Sequence, residues 1–128
     1  MHNPPTMNPR RVLLVAAAVA AVIGCGSADD DRPAKWSFIS ATITEPSCAT
    51  VNCHSALAKR GGVDLHDRAT GWNDLVGRGF VDVAMPDQSA VVRLMHGQGS
   101  LRMPPDQPQP QDDILLIQKW ISNGANND

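Results

Sequence analysis

Cys48-Ala49-Thr50-Val51-Asn52-Cys53-His54 sets two cysteines four residues apart and a histidine directly after the second. A haem bound as c type needs two cysteine sulfurs to add to its vinyl groups and an imidazole for its iron, and this run holds all three. The same residue types suit other chemistries. A four-residue gap also permits a Cys48–Cys53 disulfide in an oxidising compartment. Cys48, Cys53, His54 and His66 would make a four-ligand zinc set, although their spacing is irregular for one. A Cys/His nucleophile would need an orienting Asn or Asp, and none stands in a recognisable context.

Outward from this stretch, Gly61-Gly62-Val63-Asp64-Leu65 follows soon after the histidine. Beyond it come Asn73-Asp74-Leu75-Val76, Met85-Pro86-Asp87-Gln88-Ser89, Arg102-Met103-Pro104-Pro105, and a closing Ile117-Gln118-Lys119-Trp120-Ile121-Ser122-Asn123-Gly124-Ala125. Taken together, the chain from about Trp36 to Ala125 resembles the class I cytochrome c domains of bacterial envelope proteins. In that family two residues usually separate the cysteines; here there are four.

The resemblance implies an all-α fold in which the first and last helices cross beside a haem c, with Trp36 and Trp120 natural members of the crossing. It implies thioethers at Cys48 and Cys53, His54 on the iron, and one-electron transfer with redox partner proteins rather than enzymatic turnover. For the sixth iron position Met103 is the choice, since it matches the family's ligand motif. It also sits in an irregular stretch where proline fixes the backbone and leaves the side chain free. Met85, Met95, His66 and His96 are the alternatives; bis-histidine ligation through His96 would give a lower potential than methionine.

The N-terminus reads as an address. Arg10 and Arg11 precede an apolar run, Val12 to Ile23, of twelve residues. That is too short to cross a hydrocarbon core of about 30 Å, so residues 1–24 are expected to be a signal peptide. Val22-Ile23-Gly24-Cys25 resembles the lipobox of bacterial lipoproteins, which implies cleavage before Cys25, lipidation of that residue and a place on the periplasmic face of a membrane in the cell envelope. An ordinary secretory signal with an incidental cysteine is the other reading. Residues 25–35 are polar and aperiodic and are expected to be a tether without structure. Without Arg10 and Arg11 the chain keeps nine basic residues against thirteen acidic, which argues against a nucleic-acid partner.

Residues 36–128 form one domain with only five aromatic residues. A chain of that size buries about 60 to 65% of its unfolded surface, so its own core is thin and a flat apolar cofactor would add to it. Trp36, Ile39 and Ile43 share a helix face, and Glu45-Pro46 is expected to end that helix. A short helix is expected over Ser55 to Ala58, another over Ala69 to Val76, and a third over Gln88 to His96 with Asp87 as N-cap and Gly97 at C′. From Gln111 to Asn123 the pattern is clearest. Ile114, Leu116, Ile117, Trp120 and Ile121 fall within an arc of about 160°, and Leu115 alone breaks it.

A haemless, disulfide-closed surface lipoprotein that binds some other partner is the reading from a different class.

Overall fold

The computed structural model describes residues 29–98 and 101–128. The signal peptide and Cys25 lie outside the described residues. Every regular element within them is helical, with no strand, as an all-α chain requires. Nor is any described helix long and apolar enough to cross a membrane.

Three segments run end to end at the start: α1 (Trp36–Ile39), a π-helical stretch (Ser40–Thr44) and α2 (Glu45–Cys48). The expected stop at Glu45-Pro46 is therefore corrected, and the helix passes through the proline as far as Cys48. A proline inside an α-helix lacks the N–H for the ladder, and its ring collides with the carbonyl four residues back. The wider π turn relaxes both constraints, the Glu45 N–H reaching back to the Ser40 carbonyl. Buried Ser40 donates its hydroxyl to the Glu45 carboxylate at 2.6 Å, which ties the wide turn to the first turn of α2.

After the cysteine loop, the expected helix over Ser55 to Ala58 is absent. One hydrogen bond, Lys59 N–H to the Ser55 carbonyl, closes a single turn, and Lys59 leaves it with a φ of 40°. Leu57 there is 93% exposed, so the turn has no buried face to repay helix nucleation. A 3₁₀ turn at Arg60–Gly62 follows.

α3 (Arg68–Gly77) matches the helix expected over Ala69 to Val76. Its N-cap is Asp67, whose carboxylate accepts from the Thr70 N–H and hydroxyl. Gly71 of α3 lies against Trp36, where an added Cβ would come within 3.1 Å of the indole.

The N-cap expected at Asp87 is also corrected. Pro86–Gln88 forms a 3₁₀ turn, α4 spans only Ala90–Met95, and Ser89 stands at the N-cap. Ser89 is buried and its hydroxyl accepts the Asp82 N–H at 2.8 Å, so it serves the preceding loop rather than the helix. Gly97 follows at C′ with a φ of 71°, as expected.

α5 (Gln111–Ser122) buries the five apolar residues of its predicted face and leaves Leu115 half exposed. It packs on α1 through Trp36 and Trp120, whose rings stack with centroids 5.0 Å apart. Each buried indole N–H finds a carbonyl, Trp36 that of Arg68 and Trp120 that of Asn126. The N-terminus of α1 is satisfied from the far end of the chain. Asp128 accepts from Trp36 N–H through its side chain and from Ser37 N–H through its backbone.

Among residues 29–35 there is no regular element, but the segment is held. Arg32 pairs with Asp30 at 2.8 Å and with Asp113 of α5 at 2.5 Å. This part of the expected tether is thus held to α5, because a forked guanidinium can satisfy two carboxylates at once, one of them mostly buried.

Candidate functional site

Cys48 ends α2, and the chain then makes a compact loop. Cys53 N–H donates to the Thr50 carbonyl and His54 N–H to the Cys48 carbonyl, at 2.9 and 3.0 Å. These two bonds absorb the long cysteine spacing. Val51, within the loop, is pushed out to solvent, while Cys48, Cys53 and His54 all line one cavity of about 240 Å³.

The walls of that cavity come from every part of the fold. Trp36 and Thr44 contribute from the first helical rod, Val63 and Leu65 from the chain after the histidine, and Leu75 and Phe80 from α3 and its exit. Val91, Leu94 and Met95 come from α4, Ile117 from α5, and Met103, Pro104 and Pro105 from the connection between α4 and α5. The lining is overwhelmingly apolar, with Arg60 and Gln109 among its few polar members.

His54 is oriented by the backbone. Its Nδ1 lies 3.2 Å from the Val63 carbonyl, an atom that can only accept, so Nδ1 carries the proton and Nε2 keeps its lone pair in the neutral ring. The segment that bears this carbonyl is itself anchored. Buried Asp64 accepts from the His66 backbone and ring and pairs with Lys59 at 3.2 Å, while its own N–H donates to Asp74 of α3. Burial pushes the Asp64 carboxyl up, but the hydrogen bonds from His66 and Lys59 outweigh it and hold it at about 2.

The two cysteines are free thiols, so no Cys48–Cys53 disulfide is formed in the structure. Burial, aided by the neighbouring Cys53, pushes the Cys48 thiol up to about 11, which keeps it protonated at neutral pH.

The five candidates for a second axial ligand separate clearly. Met103 and Met95 line the cavity; Met85, His66 and His96 do not. Met85 is 54% exposed, and His66 is taken up by Asp64 and Asp67 at 2.7 and 2.8 Å. That engagement also removes His66 from the zinc set. Among the described residues no three His, Cys, Asp or Glu side chains converge as a metal site. Met95 is 7% exposed and belongs to the apolar core, whereas Met103 is half-buried in the loop, its N–H fixed to the Leu94 carbonyl at 3.0 Å.

Sequence reasoning missed Val63 as the acceptor for His54, Asp64 as the anchor of its segment, and Gln109 and Arg60 at the cavity wall. A buried-looking Asp between Val63 and Leu65 was the one available signal. No family model, no curated protein and no solved structure matches this chain.

Proposed function

We propose that the cavity holds a haem c and that the protein is a one-electron carrier of the bacterial cell envelope, folded like a small class I cytochrome c. The observation that carries this reading is the convergence on one apolar cavity of Cys48, Cys53, His54 and Met103, the last lying 49 positions beyond the histidine in the sequence. These residues fit the group in kind. Two thiols stand at one wall, an imidazole has its Nδ1 proton occupied, and a thioether comes from a different loop. A disulfide module would need neither the cavity nor the methionine.

Bound haem would supply a single one-electron couple. The chain's own part is to hold it. Cys48 and Cys53 would bind it covalently, His54 and Met103 would ligate its iron, and the Val63 carbonyl would keep the imidazole in one tautomer and one orientation. Apolar walls from α4 and α5 exclude water, and a rigid ligand set limits reorganisation when the charge changes.

Covalent attachment is the direct test. Denatured wild-type protein is expected to retain its haem through acid–acetone extraction, and the Cys48→Ala, Cys53→Ala double variant to lose it completely. A colourless wild-type protein with a Cys48–Cys53 bridge, or haem fully retained by the double variant, overturns the proposal.

Membrane attachment through lipidated Cys25, on the periplasmic face, is part of the same proposal, with redox proteins as partners and no nucleic acid. Several acyl chains on one residue would anchor the chain firmly, each buried methylene contributing about 0.8 kcal/mol. Mass spectrometry of the mature N-terminus should find an acylated Cys25 as first residue; an unmodified cysteine or another start refutes the anchor.

A further inference from the structure

The loop that carries Met103 is stiff and pinned at two points. From Met103 to Pro110 it contains four prolines, which restrict φ along its length. One pin is the Met103 N–H on the Leu94 carbonyl. The other is Gln109, which lines the cavity and donates its side-chain amide to Asp113 Oδ2 at 2.9 Å. Asp113 Oδ1 is in turn held by Arg32 at 2.5 Å. Each Asp113 oxygen thus has its own partner, and the guanidinium is braced from behind by Asp30.

We propose that Arg32, acting through Asp113 and Gln109, is a positioning residue for the Met103 loop. The segment leading in from the N-terminus is then part of the distal side of the cofactor site, not a passive leash. The inference rests on the proposed role of Met103 as ligand. Its physical basis is that a carboxylate free to rotate in α5's first turn would present either oxygen to Gln109, or neither. A permanently charged, forked donor on Oδ1 removes that freedom and leaves Oδ2 facing the loop. Rigid proline backbone then transmits the position of Gln109 toward Met103.

The test uses the full mature chain with Arg32→Gln, Arg32→Lys and Gln109→Leu, the last keeping an apolar wall but no donor. One readout needs no haem: hydrogen exchange of the Gln109 side-chain amide by NMR. It is expected to quicken roughly tenfold in Arg32→Gln, about what one net hydrogen bond is worth, and less in Arg32→Lys, which keeps the charge. The second readout is the pH at which the methionine–haem absorption in the far red is lost on alkaline titration. A tenfold looser loop should lower that midpoint by about one unit for a single-proton exchange. Arg32→Gln and Gln109→Leu should lower it alike, and the double variant should add little, because both break one chain of contacts. Helix content by circular dichroism should match wild type throughout. Unchanged exchange in Arg32→Gln, or quickened exchange with an unmoved midpoint, overturns the positioning role. A wild type that lacks the far-red band altogether while Gln109 still responds to Arg32→Gln overturns Met103 as ligand instead.

Discussion

Trp120→Ala should destabilise the protein by roughly 3–5 kcal/mol, read from the shift of its guanidinium unfolding midpoint at constant slope. Three losses combine. The indole is 1% exposed at the centre of the core, it stacks on Trp36 at 5.0 Å, and its N–H satisfies the Asn126 carbonyl. Stacking alone contributes about 0.5–1.5 kcal/mol, and the rest is apolar burial and the hole left behind. Against a total stability of about 5–15 kcal/mol, such a loss takes a large part of the fold's margin. Leu115→Ala, on the same helix but half exposed, should change stability by no more than about 0.5 kcal/mol. If the two variants unfold at similar denaturant concentrations, the α1–α5 crossing is not what holds the domain together.

The two buried faces of that contact were legible from the chain because they rest on short-range signals, while their meeting was implied by the resemblance alone. A 3.6-residue apolar period names the buried face of α5, and an amphipathic start names Trp36. What could not be read is what depends on partners distant in sequence. Pro46 signals a helix end by local rules, yet Ile43 and Ser40 are buried, and their packing outweighs the local preference by way of the π turn. Asp87 and Ser89 are comparable N-caps by type, but Pro86 draws Asp87 into a 3₁₀ turn, and Ser89 stands at the cap with its hydroxyl committed to Asp82. The segment before Lys35 looks polar and free until Asp113, 81 positions after Arg32, is found beside it.

The cavity divides in the same way. One wall was legible, since Cys48, Cys53 and His54 are neighbours in sequence and are found together on the cavity. The choice of Met103 rested on resemblance, because no local pattern says which of several methionines will line the same cavity as a histidine 49 positions away. The carbonyl that orients His54 belongs to Val63, and a backbone atom leaves no trace in residue type.

If the cavity holds haem as proposed, Met103→Ala is expected to leave it attached and the fold intact while removing one ligand of the iron. The ferric protein should lose the weak far-red charge-transfer absorption that a methionine sulfur on haem iron produces. The reduction potential should fall by on the order of 0.1 V or more, a fraction of the roughly 0.8 V over which axial ligands set haem potentials, because the thioether favours ferrous iron. The comparison variants give the assignment its force. His96→Ala and Met85→Ala alter exposed side chains away from the cavity and should keep both band and potential. Met95→Ala is the demanding control, because Met95 lines the same cavity but is 7% exposed in the core. It should keep the band and instead cost roughly 2–5 kcal/mol of stability. A band that survives in Met103→Ala and vanishes in Met95→Ala would move the ligand from the proline loop to α4. A wild type without the band, in which only His96→Ala changes the spectrum, would make the protein a low-potential bis-histidine carrier whose α4 end turns inward when haem binds.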